Sequence, residues 1–298
     1  MNRARTSNIW LIAASFVCCT VNASAQIPSL QTEAFTSSNE EARAHARIGL
    51  EHDHAGRYPE AVAAYNRALG LAPNDAGLYN NFGNALARLR RYNEAIAALK
   101  CAVKLNPSLA SPYFNLGVIY DQTNRPAEAI SAFKRAIVLN PKLIDARIGL
   151  CELHLTLEQN TEALACYQDL LILTPSDAKA QTNSGIALVR LKRYKAAIAF
   201  LRETTRRFPA HAEAYNILGN ALIETKRYKE ALIVLAQALE LDPSHEAARF
   251  NLALAQLALK NRAAALEQYT SLRVSNAVLA QKLYETIYGA QLSSAVRK

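Results

Sequence analysis

The side chains that most often perform catalysis or bind metals form no recognisable site in this sequence of 298 residues. Six histidines are present, and their only cluster is His52-Asp53-His54. Two metal ligands on a helix need a spacing of three or four residues to share one face, and this cluster lacks that spacing. The sequence also has no glycine-rich phosphate loop and no nucleophile elbow. We therefore expect a protein without catalytic residues, metal or cofactor.

A period of 34 residues organises the chain. Six of its ten prolines lie at this spacing: Pro73, Pro107, Pro141, Pro175, Pro209 and Pro243. A glycine and an alanine recur in the same register: Gly49, Gly83, Gly117, Gly185 and Gly219, then Ala61, Ala95, Ala129, Ala163, Ala197, Ala231 and Ala265. A fixed period of this length is typical of a repeat array, in which each unit packs only on its neighbours.

These residues resemble the tetratricopeptide repeat, a helix–turn–helix unit of the same length. The best matches are Tyr113, Leu116, Gly117, Tyr120, Ala129, Phe133, Ala136 and Pro141, then Tyr215, Leu218, Gly219, Ala231, Leu235, Ala238 and Pro243. The resemblance implies an all-α fold, a right-handed α-solenoid (superhelix) of seven units: 42–75, 76–109, 110–143, 144–177, 178–211, 212–245 and 246–279. Such a fold is usually a platform that binds other proteins.

Each unit should contain an A helix followed by a B helix, which the proline ends because it lacks an N–H group. The small glycine and alanine should let the two helices approach closely. Gln181, Ser184 and Thr204 stand where other units are apolar, which predicts softer packing between residues 144 and 205. Residues 280–298 are predicted to be a C-terminal capping helix and tail that cover the last unit.

The resemblance also implies that the A helices line a concave groove. Asparagines occupy equivalent or neighbouring positions on these helices: Asn81, Asn84, Asn115, Asn183, Asn216, Asn220 and Asn251. An asparagine amide offers two donors and an acceptor, which can pair with the backbone of an extended peptide. The pattern is similar to the asparagine ladder in the repeat arm of O-linked N-acetylglucosamine transferases. The alternative is structural, since asparagine at this position can also bond between helices.

Apolar residues are expected beside the asparagines, with no obvious cover: Phe114, Val118, Ile148, Leu155 and Ile186. A contiguous exposed apolar stripe usually marks an interaction site. We therefore expect the ligand of the groove to be a polypeptide segment with apolar anchors.

The turns between the A and B helices predict a second surface, a basic edge. Its residues are Arg88, Arg90, Arg91, Arg190, Lys192, Arg193, Lys226 and Arg227. A one-sided basic stripe attracts acidic partners, and the formal net charge of the chain is +9. Anionic lipid, an acidic envelope polymer or an acidic protein would suit this edge, whereas an ordinary solvated turn is the structural alternative. Nucleic acid is disfavoured, because export is expected and no aromatics are interleaved with the basic residues.

The N-terminus predicts export. Arg3 and Arg5 precede an apolar stretch at residues 9–21, and Ala23-Ser24-Ala25 forms a small-residue cleavage site. We expect residues 1–25 to be a signal peptide cleaved after Ala25, which places the mature protein in the periplasm or outside the cell with no transmembrane span. An uncleaved anchor is the alternative. Residues 26–41 are predicted to be a linker.

Three cysteines remain outside the predicted signal peptide: Cys101, Cys151 and Cys166. Disulfides are permitted outside the cytoplasm. Cys151 and Cys166 would lie at similar heights on the two helices of the fourth unit, so they could form a bridge. Alternatively, Cys166 points to the convex side.

The sequence therefore predicts a non-catalytic scaffold or adaptor of the cell envelope that holds a partner polypeptide in its groove. The competing hypothesis is an anion-binding module that works through the basic edge.

Overall fold

A computed structural model describes residues 30–34 and 39–295, with side chains as far as Tyr288. The predicted signal peptide lies outside the described residues, as do residues 26–29 and 35–38 of the predicted linker. The described residues fall into two compact units, 30–159 and 160–295.

The described chain contains helices and no strand, which confirms the predicted all-α fold class. In the first unit the helices are α1 Glu40–His54, α2 Tyr58–Leu71, α3 Ala76–Arg88, α4 Tyr92–Leu105, α5 Ala110–Gln122, α6 Pro126–Leu139 and α7 Ile144–Thr156. In the second they are α8 Asn160–Leu173, α9 Ala178–Arg190, α10 Tyr194–Arg207, α11 Ala212–Glu224, α12 Tyr228–Leu241, α13 Glu246–Ala258, α14 Arg262–Ser275 and α15 Ala277–Ala295. Within each unit, successive helices pack against one another as tandem pairs.

The glycines at the 34-residue spacing lie against a large side chain of the following B helix, sixteen residues further along the chain. A Cβ added to Gly117 would stand 2.6 Å from the ring of Phe133, and one added to Gly219 would stand 2.5 Å from Leu235. Real Cβ atoms essentially never come this close to another heavy atom. The glycine therefore makes room for a core side chain of its partner helix, which is the physical reason for its recurrence.

The A helices end in a left-handed turn residue that also recurs every 34 residues. These residues are Gly56, Arg90, Asn124, Glu158, Lys192, Lys226 and Lys260, with φ between 56° and 72°. At the end of α3, Arg90 N donates to Ala87 O at 2.9 Å and Arg91 N donates to Leu86 O at 3.0 Å. This pair of bonds is the Schellman motif, which satisfies the last carbonyls of a helix. The motif reverses the chain and presents the turn side chains to solvent.

The sequence predicted softer packing near Gln181, Ser184 and Thr204, because polar side chains without partners are costly to bury. The assumption that these side chains would lack partners is wrong. All three side chains are buried, and all three are hydrogen-bonded. The amide of Gln181 donates to Pro175 O at 2.9 Å and accepts from the Thr204 hydroxyl at 3.2 Å. A buried polar group with a partner costs little stability.

The last helix, α15, packs on α13 and α14. Its buried residues include Leu283 and Ile287. Tyr284 lies between Tyr269 and Tyr288, with ring centroids 5.8 and 4.6 Å apart. The helix thus covers apolar surface at the end of the second unit. None of the described helices combines the length and apolarity needed to cross a bilayer.

Candidate peptide-binding groove

Residues 30–34, which belong to the predicted linker, lie across the A helices α3, α5 and α7. We call these residues the N-terminal segment and the helix surface beneath them the A-helix groove. Asn115 accepts from Gln31 N and donates to Gln31 O, both at 2.9 Å. Asn81 does the same with Glu33, at 2.9 and 3.0 Å. Each asparagine amide therefore pairs with both backbone polar groups of one residue.

The spacing of the two paired residues fits an extended chain. In such a chain, the N–H and C=O groups of alternate residues point to the same side. Gln31 and Glu33 therefore present their backbone groups to the same helix face, and Thr32 between them is exposed. The carbonyl of Gln31 also accepts from Asn80 at 2.8 Å and from Asn84 at 2.7 Å.

The groove asparagines are fixed by bonds to one another. Asn80 donates to Asn81 Oδ1 at 3.0 Å and accepts from Asn115 at 2.8 Å. All three are buried, and buried polar networks of this kind hold side chains in one orientation when every member is satisfied. The groove thus presents preoriented amides to the segment. The exception is Asn84 Oδ1, which is buried without a hydrogen-bond partner.

A second row of contacts follows the 34-residue period. Gly77, Ser111 and Asp145 occupy the second position of three successive A helices, and each meets a different residue of the N-terminal segment. The carbonyl of Ala34 lies over Gly77. Ser111 donates to the carboxylate of Glu33 at 2.6 Å, and the amide of Gln31 donates to Asp145 at 3.0 Å. The segment consequently runs from α7 towards α3, opposite to the order of the repeats.

The asparagines predicted in the second unit are placed differently. Asn251 donates to Asn216 at 2.8 Å, which repeats the Asn115–Asn80 bond four repeats later. However, Glu213 stands where the first unit has Gly77, and its carboxylate lies 2.6 Å from His245. Asn216, Asn220 and Asn251 are buried with no segment over them among the described residues.

Asn183 is half-buried and donates to the hydroxyl of Tyr167 at 2.9 Å. Tyr167 belongs to the B helix α8 and Asn183 to the A helix α9, so this asparagine bonds between helices. The bonding of Asn183, Asn216 and Asn251 therefore matches the structural alternative that the sequence left open.

The expected exposed apolar stripe is absent from the described residues, and this prediction is wrong. Phe114, Val118 and Leu155 are only 1%, 4% and 5% exposed. Phe114 instead packs against Phe133, with ring centroids 6.0 Å apart, in the core between α5 and α6. Ile148 and Ile186 are half-buried. The polar amides and the row at Gly77, Ser111 and Asp145 carry the contacts that apolar anchors were expected to make.

The side chains of the predicted basic edge differ in exposure, and two of them pair with carboxylates. Arg90, Arg193, Lys192 and Lys226 are exposed in the turns. Arg91 and Arg227 instead pair with Glu94 and Glu230, at 2.6 and 2.7 Å. Arg88 and Arg190 are half-buried at the ends of their helices. The local carboxylates reduce the positive potential that this edge could present to an anion.

Cys151 and Cys166 are both disulfide-bonded, whereas Cys101 is an exposed free thiol. The proposed pairing of Cys151 with Cys166 stays a prediction. Among the described residues there is no group of three or more histidine, cysteine, aspartate or glutamate side chains arranged to hold a metal ion.

Family comparison agrees with the helical repeat. Four models described as tetratricopeptide repeat or TPR repeat match residues 54–90, 80–144, 122–182 and 212–245. Their matches together cover more than half of the chain, and the match to residues 212–245 spans the helix pair α11 and α12. The chain is a tetratricopeptide-repeat protein. It has no significant match among curated proteins.

Solved TPR structures share the fold. YrrB, described as a TPR protein with an unusual peptide-binding site, is 26% identical, with a TM-score of 0.56 over 62% of this chain and 95% of YrrB. The MamA protein is 24% identical, with a TM-score of 0.53 over 56% of this chain and 92% of MamA. A tetratricopeptide repeat protein from Parabacteroides merdae ATCC 43184 is 13% identical, with a TM-score of 0.60 over 84% of this chain and all of that protein. This fold and these neighbours support a protein–protein interaction scaffold.

Sequence reasoning identified Asn81, Asn84 and Asn115 as groove residues but missed Asn80, Gly77, Ser111 and Asp145. The signal for the last three was available, because they share one position of the repeat. It was hidden because glycine, serine and aspartate have little chemistry in common. Each acts on a different feature of the bound segment, so the row is recognisable only once that segment is in place.

Proposed function

We propose that this TPR protein is a non-catalytic scaffold or adaptor of the cell envelope, and that it holds an extended segment of a partner polypeptide in the A-helix groove. The observation that carries the proposal is the paired hydrogen bonding of Asn115 to Gln31 and of Asn81 to Glu33. These bonds recognise backbone groups, which every polypeptide offers. The groove can therefore bind a chain other than the one it holds in this structure.

Backbone pairing supplies affinity in such a site, and neighbouring side chains supply specificity. Ser111 and Asp145 lie beside the asparagines and meet side chains rather than backbone. The description of YrrB as a TPR protein with a peptide-binding site is consistent with this use of the fold.

The cell-envelope location rests on the N-terminal sequence. Arg3 and Arg5, the apolar stretch and Ala23-Ser24-Ala25 support export and cleavage after Ala25. N-terminal sequencing of the protein isolated from its native cells should then begin at Gln26. A chain that retains Met1 or Asn2 would support the anchor instead.

The test of function is affinity capture from an envelope extract with three forms of the protein: unchanged, Asn81→Ala with Asn115→Ala, and Arg190→Glu with Lys192→Glu and Arg193→Glu. We expect a partner that survives a wash at about 0.5 M salt, because neutral hydrogen bonds are screened little by ions. The groove variant should lose this partner and the edge variant should keep it.

Asn183→Ala serves as the matched control, because this asparagine bonds between helices and, among the described residues, has no segment over it. The reverse pattern, loss in the edge variant and retention in the groove variant, would replace the groove with the anion-binding edge as the working surface.

A further inference from the structure

The A-helix groove is filled in this structure by the chain's own N-terminal segment. Resting on the function proposed above, we infer that this segment is a tethered competitor of the partner, and that the partner segment resembles it. The expected chemistry is an apolar residue, a glutamine, any residue and a glutamate, in that order, followed by a residue that meets the groove through its backbone.

Each position of this pattern follows from a contact. Leu30 is buried, so an apolar residue fits there. The amide of Gln31 donates to the Asp145 carboxylate, which would repel an acid at that place. The side chain of Thr32 is exposed, so any residue fits at this position. The carboxylate of Glu33 accepts from the Ser111 hydroxyl.

The remaining position is set by the backbone. The carbonyl of Ala34 approaches Gly77 so closely that a Cβ on that glycine would overlap it. Only a groove residue without a side chain admits the chain here. The side chain of Ala34 is itself exposed, so this position, like that of Thr32, sets no requirement for the side chain.

The mode of binding suits exchange rather than permanent attachment. Leu30 is the only apolar side chain of the segment that is buried, and the other contacts are hydrogen bonds. A hydrogen bond that replaces one to water adds only weakly to stability. A segment held in this way can dissociate and give its place to another chain with the same pattern.

The tether sets the strength of the competition. Residues 35–38 join the segment to Asn39, which caps α1 through its side chain. Because the segment and the groove belong to one chain, the groove meets the segment at an effective concentration of about 1 mM. If a free peptide of this sequence binds an empty groove with a Kd of about 10 μM, the tethered segment occupies about 99% of grooves. An external peptide would then bind about 100-fold more weakly than to an empty groove.

The experiment uses an opened variant, Gln31→Pro with Glu33→Pro. Proline removes the two N–H groups that donate to Asn115 and Asn81. Both substitutions lie outside the helices, so circular dichroism should show the same helix content as in the unchanged protein. The probe is a fluorescent synthetic peptide with the sequence of residues 28–36, followed by fluorescence anisotropy.

We expect the peptide to bind the opened variant about 100-fold more tightly than the unchanged protein. Gln31→Glu in the peptide should weaken binding at least tenfold, whereas Thr32→Ala, the matched control, should leave it unchanged. Adding Asn115→Ala to the opened variant should abolish binding, which would place the peptide in the groove.

Equal binding to the opened and unchanged proteins would overturn the competitor role and leave the proposed function intact. Binding that ignores Gln31→Glu would overturn the predicted partner chemistry alone. If the peptide behaves as expected but partner capture is indifferent to Asn81→Ala with Asn115→Ala, the proposed function fails, and the competitor role fails with it.

Discussion

The carbonyl oxygen of Ala34 lies over Gly77, in the space that a Cβ on this glycine would take. Gly77 is the second residue of α3, where alanine is intrinsically a better helix former by about 1 kcal/mol. Gly77→Ala should therefore release the N-terminal segment without weakening the array. Hydrogen exchange provides the measurement: the amides of Gln31 and Glu33 should be protected in the unchanged protein and exposed in the variant.

Gly70→Ala is the control for this substitution. Gly70 lies in the B helix α2, and a Cβ there would meet nothing within 4 Å. It should raise helix stability in the same way while leaving both amides protected. If Gly77→Ala left the exchange of these amides unchanged, the close approach of Ala34 would not hold in solution.

Alanine in place of a repeat glycine should destabilise the protein, because these glycines pack against core side chains. Gly219→Ala would bring a Cβ to 2.5 Å from Leu235, and overpacking of this kind typically costs about 1–3 kcal/mol. Urea unfolding should show this loss. Leu235→Ala in the same chain opens the space, so the double variant should lose less than the sum of the two single variants.

Much of the scaffold was predictable, because the 34-residue spacing of proline, glycine and alanine reflects packing that each unit repeats. A small residue must stand wherever a B-helix side chain such as Phe133 fills the space above Gly117. Packing constraints of this kind are local and recur in every unit. The residue types that satisfy them therefore recur at the same spacing along the sequence.

The groove was only partly predictable, because a single repeat position serves two purposes. Asn115 and Asn251 are equivalent, yet one binds the N-terminal segment and the other bonds to Asn216 with no segment over it among the described residues. The difference lies in their neighbours, Gly77 in one unit and Glu213 in the other. The occupant left no signal, since residues 30–34 show no periodicity. Phe114 was wrongly predicted to line the groove, because an apolar side chain on an A helix can face the core as readily as the groove.

Substitutions at the left-handed turn residues should rank in an unusual order of stability, with glycine the most stable. Lys226 has a φ of 62°, a conformation that costs a non-glycine residue about 1–2 kcal/mol and that β-branched residues avoid most. Stability in urea should therefore rise for Lys226→Gly and fall for Lys226→Val. Lys229, an exposed residue of the helix α12, is the control, because glycine there should lower stability. If glycine lowered stability at Lys226 as it does at Lys229, the left-handed conformation would not carry this cost.

The pair formed by Glu213 and His245 should make the second unit sensitive to pH. Burial alone would lower the pKa of His245, but the hydrogen bond and charge of Glu213, with a further contribution from Asp242, outweigh it and raise the pKa. A raised pKa in the folded state contributes stability that is fully present below the unfolded value of about 6.5 and is lost as the pH rises through the folded value. Glu213→Gln keeps an acceptor but removes the charge, so it should lower unfolding stability by about 1 kcal/mol at pH 5.5, since the pair is partly exposed to solvent. At pH 8.5 the two proteins should unfold at the same urea concentration, and a difference that does not depend on pH would assign Glu213 a packing role instead.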